Sequence, residues 1–341
     1  VQLRLPPQGG PATGLFISDA CFTGRGGLAC PNGESFSMLD RLVDIVNTLL
    51  GSDEFDFWGM LGDNFYDHAG EVSSHFFSRL SGKARAKPFL TVAGNHDLWI
   101  SGGPPGSLHD QLGFGHVQFY GQDTVAGLQR SPAPCDVSRG PNVLQLAAAE
   151  NFVFGTQLGD LAFFGYSSAF DWHVVEPHAQ DFCDFVGAAP SVRTAVLLGH
   201  WNTPDLGCKP GMHVPAVHAL MRRMRGCREK RLLYFMGHEH CNRVDPRTGV
   251  GPLDAVGFVV GGAGMWGNGC SNFGFTVLQS HPEAEGGAGN ARVDHFPVAA
   301  DLSWGKDPSM LVDRFDWLMG CLRRRGYAGC RAEHGLSFRA L

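Results

Sequence analysis

Apolar residues in the first hundred positions fall into short continuous runs separated by longer periodic stretches. Gly14–Ser18 is a short apolar run that stops at Asp19. From Phe36 to Leu50, Met38, Leu39, Leu42, Val43, Ile45, Val46, Leu49 and Leu50 recur at helical spacing, with Ser35 placed as the cap. Phe57–Leu61 reads as a second strand ending in Gly62-Asp63, and Val72–Leu80 as a helix. Phe89–Val92 is a third strand, ending in Gly94-Asn95-His96-Asp97. Short runs that are apolar throughout suit strands covered on both faces. Their alternation with helices predicts an α/β architecture with mostly parallel strands.

Residues 101–142, rich in Gly, Pro and Ser, read as a long functional loop. Strands are predicted at Asn151–Phe154 and Leu161–Gly165, then a helix over Glu176–Val186. Ala195–Leu198 precedes Gly199-His200, and Leu232–Met236 precedes Gly237-His238-Glu239-His240. Phe258–Gly261 and Phe273–Leu278 are late strands, and Met310–Arg325 is an amphipathic helix with a basic end. There is no internal repeat. One domain is expected over 1–300, with 301–341 a helical extension packed on it or trailing it.

Composition narrows the function classes. The 341 residues are 43% apolar and 18% charged, which excludes a disordered chain. A net charge of −6 carries no electrostatic footprint for nucleic acid. No run approaches the roughly 18 apolar residues of a membrane span. Forty-seven glycines, about twice ordinary usage, predict a loop-rich molecule. Val1 in first position is read as the trace of a removed signal peptide. Ten cysteines, none at the spacing of a zinc knuckle, agree with an oxidising secretory compartment. The expected location is secreted or in the secretory or lysosomal lumen, with membrane anchorage if the natural chain extends beyond Leu341. Cys21/Cys30 and Cys321/Cys330 are close enough to clip loops; the pairing of the rest is not readable.

Every candidate for chemistry sits where an apolar strand stops: Asp19, Asp63, Tyr66, Asn95, His200, His238 and His240. In α/β sheets separate loops converge at the carboxyl ends of strands. Hard oxygen donors together with imidazoles suit a pair of di- or trivalent first-row metals, rather than calcium or a thiolate-bound zinc. Asp63 and Tyr66, three apart, share one side of a turn. His238 and His240 point to one face if extended; in a loop each can be aimed at a different metal.

Asp19, Gly62-Asp63-Asn64-Phe65-Tyr66, Gly94-Asn95-His96-Asp97, Gly199-His200 and Gly237-His238-Glu239-His240 resemble the five ordered blocks of the calcineurin-like metallophosphoesterases. Most of that superfamily has Asp-x-His in the first block, where this chain has Asp19-Ala20-Cys21. The missing His, together with Tyr66, is similar to the small, animal-type purple acid phosphatases. The resemblance covers residues 19–240. It implies a metallophosphoesterase-type four-layer α/β/β/α sandwich with the metal site at the carboxyl ends of strands. It also implies an acid phosphatase that hydrolyses a small phosphomonoester or a phosphoprotein by attack of a metal-bound hydroxide. The implied cofactor is a binuclear centre of Fe(III) plus Fe(II), Zn(II) or Mn(II). Asp19, Asp63, Tyr66 and His240 would hold the ferric ion. Asp63 would bridge to a second ion held by Asn95, His200 and His238. His96 would face the phosphate, with Asn95 beside it and Asp97 orienting the imidazole.

The chain departs from that pattern in three places. Cys21 is able to offer a thiolate beside Asp19, although a disulfide with Cys30 is the preferred reading. The family's Glu-His pair after the fourth block is replaced by Cys208 and Lys209, leaving His213 or Lys209 to take over the phosphate contact. Gly261–Trp266 resembles a late family loop, where Trp266 either lines the cleft or is packed. Glu239 is read as facing solvent or standing behind the ligands. His68, His75, His109 and His116 are read as surface or packing residues. Two alternatives stand beside the phosphatase: a scaffold or anchor protein with this fold and little turnover, and a phosphodiesterase with Tyr66 unligated.

Overall fold

The first strand, β1 (Thr13–Ile17), has all five residues buried, so both of its faces must be covered. Leu15 and Ile17 pack on Leu42, Ile45, Val46 and Leu49 of helix α1 (Met38–Leu50). Phe16 points the other way, against Phe57 of β2 (Phe57–Met60). The structure, a computed structural model, describes residues 3–22, 30, 34, 36–67, 70–98, 116, 120, 128–132, 143–147, 149–201, 211–245, 255–262, 272–280, 291–300 and 313–340. Helix α2 (Glu71–Ser78) adds Val72 and Phe76 to the same outer core and leads towards β3 (Phe89–Thr91). β1, β2 and β3 are parallel neighbours. A separate hairpin, β4 (Leu128–Pro132) with β5 (Val143–Ala147), is antiparallel.

The second half repeats the scheme. β6 (Phe154–Leu158) and β7 (Leu161–Gly165) form an antiparallel pair, followed by helix α3 (Trp172–Ala188) and then β8 (Thr194–Leu198). Helix α4 (Val214–Met221) leads to β9 (Arg231–Met236), with β10 (Arg243–Val244) and β11 (Gly257–Val259) beyond it. The chain then returns to the first sheet through β12 (Asn272–Ser280) and β13 (Ala291–Ala300). Helix α5 (Phe315–His334) and β14 (Leu336–Ala340) close the described chain. The sheet orders are β14-β13-β12-β1-β2-β3 and β10-β11-β9-β8-β7-β6.

Phe16, Phe163, Phe235 and Phe258 fill the space between the sheets, and the rings of Phe16 and Phe235 stack at 4.9 Å. Residues on the far face of the second sheet, among them Phe164, Leu197 and Leu232, meet Val175, Ala179 and Val217 of α3 and α4. The result is the four-layer α/β/β/α sandwich. Each large apolar side chain so buried contributes about 1.5–3 kcal/mol, and the sheets hold their spacing because such interiors are close-packed. Among the described residues no helix is long and apolar enough to cross a membrane.

Several element boundaries differ from the sequence reading. Ser35 lies outside the described residues; α1 starts after Ser37, which is left-handed (φ 48°) and makes no side-chain cap. Asn151–Phe154 is largely a single 3-10 turn, Ala149–Phe152, and the strand begins at Phe154. α3 starts one turn before Glu176 and tolerates Pro177 inside it. The segment 101–142 includes a strand, β4, within what reads as loop.

The helix expected at Met310–Arg325 begins at Phe315 and continues to His334 across a break at Gly326 (φ 68°). The break is fixed from outside the helix. Glu54 accepts the backbone N–H groups of Tyr327 (2.8 Å) and Ala328 (3.0 Å), capping the second half as a cap residue would. Tyr327 then donates its hydroxyl to Asp294 on β13. Glu54→Ala is expected to cost about 1 kcal/mol in urea denaturation, with Glu54→Gln, which keeps an acceptor, losing less.

Candidate metal centre

Each predicted ligand stands a few residues beyond a strand, where the backbone turns sharply. Of the seven non-glycine residues with positive φ among those described, five are predicted ligands: Asp19 (53°), Asp63 (48°), Tyr66 (51°), His238 (74°) and His240 (54°). A sixth, Phe65, lies between two of them. L-residues adopt this conformation at a cost of about 1–2 kcal/mol each, and such strain collects where a site dictates the direction of side chains. Gly62 is also left-handed (φ 89°). A Cβ there would stand 2.6 Å from His200 Nδ1 and 2.7 Å from the Gly94 nitrogen, so only glycine lets the two loops meet.

The donor atoms form two triangles. In the first, the Tyr66 hydroxyl is 3.0 Å from His240 Nε2 and 3.5 Å from Asp19 Oδ1, and His240 Nε2 is 3.5 Å from Asp19 Oδ1. In the second, Asn95 Oδ1 is 3.2 Å from His200 Nε2 and 3.1 Å from His238 Nδ1. Asp63 Oδ1 is 3.4 Å from His200 Nε2 and, with burial, the nearby charge of this carboxylate pushes the Tyr66 phenol up, so it stands beside both triangles. Two histidines two residues apart are thus aimed at different partners, as the loop alternative requires.

Proton accounting tests whether metal ions fit. His200 Nδ1 is 2.7 Å from the Leu61 carbonyl, which can only accept. A neutral His200 therefore carries its proton on Nδ1 and turns the Nε2 lone pair towards Asn95 Oδ1, itself only an acceptor. Two acceptors meeting at 3.2 Å are reconciled by a cation or a proton between them, or by a turned Asn95 amide. Carboxylate, phenol, amide and imidazole donors at this spacing suit first-row metal ions, whose bonds of about 2.0–2.2 Å place neighbouring ligands roughly 3 Å apart. The residues fit the group.

The electrostatics agree. Asp19 is fully buried, and burial pushes its carboxyl up from the usual range. Burial also opposes ionisation of Asp63, but the neighbouring histidines His200, His96 and His238 more than offset it and hold that carboxyl down. Burial lowers His200, yet Asp63 and Asp19 raise it to about 9, so without metal the ring takes a proton as counter-charge. Burial, with Asp63 and Asp19, pushes the Tyr66 phenol well above its ordinary value. A cation is what would draw off these protons.

Around the donors, Asp97 ties two loops together. It accepts the backbone N–H groups of Gly94 (2.7 Å) and Asn64 (3.0 Å) and the Asn64 side-chain amide (3.1 Å). Asn64, absent from the sequence prediction although it lies inside the second block, thereby links the second and third blocks. His96 donates its backbone N–H to Asp63 at 2.9 Å, and its ring lies 4.7 Å from that of Tyr66. Burial holds the His96 ring below its ordinary value.

Cys21 is bonded to Cys30 and packs on Tyr66, so it offers no thiolate to a metal. Cys183–Cys227 and Cys321–Cys330 are also disulfides. The latter spends the sulfur of the second possible metal-binding group, Cys321, Glu333 and His334. Glu239 pairs with Arg243 on the rim. His213 stands at the start of α4, whose Val214 N–H donates to the Trp201 carbonyl at 2.9 Å, next to His200. Cys208, Lys209 and Trp266 lie outside the described residues, as do His68 and His109. His116 is buried, stacked on Phe152.

No family model and no curated protein matches the chain. Solved structures do. A purple acid phosphatase isolated from yellow lupin (Lupinus luteus) seeds is 14% identical, with a TM-score of 0.52, covering 86% of this chain and 52% of that one. A Staphylococcus aureus protein assigned as a 5'-nucleotidase, in complex with alpha-ketoglutarate, is 15% identical, with a TM-score of 0.41, covering 90% of this chain and 59% of that one. The chain thus spans between half and three fifths of the length of these structures. The likeness to the lupin enzyme is one of architecture, and the chain has the metallophosphoesterase-type fold.

Proposed function

We propose that the chain is a binuclear-metal acid phosphatase of the purple type, hydrolysing phosphomonoesters. The observation that carries this reading is the convergence of carboxylate, phenol, amide and imidazole donors within 3.0–3.5 Å of one another. Asp19, Tyr66 and His240 would hold one ion, Fe(III), and Asn95, His200 and His238 the other, Fe(II), Zn(II) or Mn(II), with Asp63 placed to serve both. Such a pair, when bound, activates water and stabilises the entering and leaving oxygens of an in-line displacement.

The remaining residues bind and orient. The Leu61 carbonyl keeps the His200 proton on Nδ1, leaving Nε2 for metal. His96, held against Asp63 through its backbone and against Tyr66 through its ring, presents an imidazole to a phosphate oxygen and protonates the leaving group. Asp97 fixes the loop that carries Asn95 and His96 through the Gly94 and Asn64 amides. His213 takes the substrate side left without its usual histidine. The disulfides support a secreted or luminal protein.

The test is turnover of p-nitrophenyl phosphate and of its bis-ester by metal-loaded protein from about pH 4 to 8, with a visible spectrum. Hydrolysis of the monoester is expected, with a tyrosinate–Fe(III) band that disappears in Tyr66→Phe. Metal-loaded protein inert to the monoester overturns the reading. Hydrolysis confined to the diester, with no band, identifies a phosphodiesterase instead.

A further inference from the structure

Beside the donors a line of buried and half-buried polar side chains crosses from one sheet to the other. His295 on β13 and Thr276 on β12 are register partners, and His295 Nδ1 lies 2.6 Å from Thr276 Oγ1. Thr276 Oγ1 is in turn 3.5 Å from Oδ1 of Asn242, the residue just before β10 in the second sheet. Asn242 grips the backbone of Gly261, just past β11, at two points. Its Nδ2 donates to the Gly261 carbonyl at 2.5 Å, and its Oδ1 accepts the Gly261 N–H at 3.4 Å. Thr276 is fully buried and His295 nearly so.

The direction of donation follows from chemistry. A backbone N–H can only donate and a carbonyl can only accept, which fixes the orientation of the Asn242 amide. Its Oδ1 must then accept from the Thr276 hydroxyl. The Thr276 hydroxyl and His295 Nδ1 share a proton at 2.6 Å. Burial lowers the His295 ring to about 4, so it stays neutral. The Asn242 amide therefore has one orientation.

Its far end presses on the candidate centre. A Cβ on Gly261 would stand 2.9 Å from Asp19 Oδ2 and 3.1 Å from His240 Cα. The Gly261 backbone is thus the wall against which two left-handed ligand residues are set. We infer that Asn242, held by Thr276 and His295, is a positioning residue that fixes Asp19 and His240 through Gly261 and so sets the affinity of the Tyr66-side metal ion. The inference rests on the proposed binuclear reading.

Thr276→Val keeps the shape and removes the hydroxyl, whereas Thr276→Ser keeps the hydroxyl. Amide exchange of the segment 255–262 in metal-free protein and metal affinity by chelator competition are the two readouts. In Thr276→Val the Gly261 amide is expected to exchange faster. One of the two ions should bind about 10–100-fold more weakly, the range for residues behind metal ligands, while the other is unchanged. Thr276→Ser should restore both. If Thr276→Val fails to fold, Asn242→Ala, whose side chain is only half-buried, carries the same test. Wild-type affinity for both ions despite faster exchange, or unchanged exchange, overturns the inference. Wild-type protein that binds no metal overturns the binuclear reading itself, and so the two failures are told apart.

Discussion

Asp63→Asn is expected to lower kcat/KM on p-nitrophenyl phosphate by at least about a thousandfold, the scale on which losing one centrally placed charge-stabilising group acts. The substitution preserves shape, removes the charge shared between the two donor triangles, and turns an N–H₂ or a neutral oxygen towards His200 Nε2, now 3.4 Å from the carboxylate. It also strips His200 of the largest influence raising its pKa. Elemental analysis should find at most one ion per chain. Metal-free protein should melt below the wild-type temperature, because the histidines that hold the Asp63 carboxyl ionised lose their partner. Activity within tenfold of wild type, with two ions bound, would exclude Asp63 as the bridge.

Gly62→Ala is expected to remove the site without touching a donor atom. The left-handed backbone at residue 62 costs an L-residue about 1–2 kcal/mol, and the added carbon collides with the His200 ring and the Gly94 backbone. Neither neighbour can retreat: His200 is held by the Leu61 carbonyl, and Gly94 by Asp97. Crowding of this kind adds about 1–3 kcal/mol. Chemical denaturation should show a loss of about 3 kcal/mol, and loaded protein should lack the ion placed at His200. Gly82→Ala is the control, since a Cβ there meets nothing within 4 Å; it should be neutral or slightly stabilising.

The parallel strands were legible because a run such as Leu161–Gly165 has apolar residues on both faces and stops at a sharp turn. The same property pointed to the seven candidate donors: each is a polar residue a few positions beyond an apolar run. The late antiparallel strands were harder. β13 carries Arg292, Asp294, His295 and Pro297 among its apolar residues, and their partners come from other elements, Gln279 from β12 and Tyr327 from α5. β4 is similarly hidden by Pro132 and by a segment rich in turn formers. The full length of α5 was obscured by Gly326, which marks a helix end unless Glu54 is known to bridge it. Asn242 had no signal at all, because its importance lies in what β12 brings beside it.

Asp19, Asp63, Tyr66 and Asn95 leave from one sheet, and His200, His238 and His240 from the other. Within each triangle, donors from both sheets stand 3.0–3.5 Å apart. The candidate centre is therefore a gauge of the gap between the two sheets. The spacer that sets this gap is the stack of aromatic rings led by Phe16 and Phe235, whose side chains carry none of the donors. Thickness in the middle of the sandwich is thus dimensioned by the chemistry at its rim.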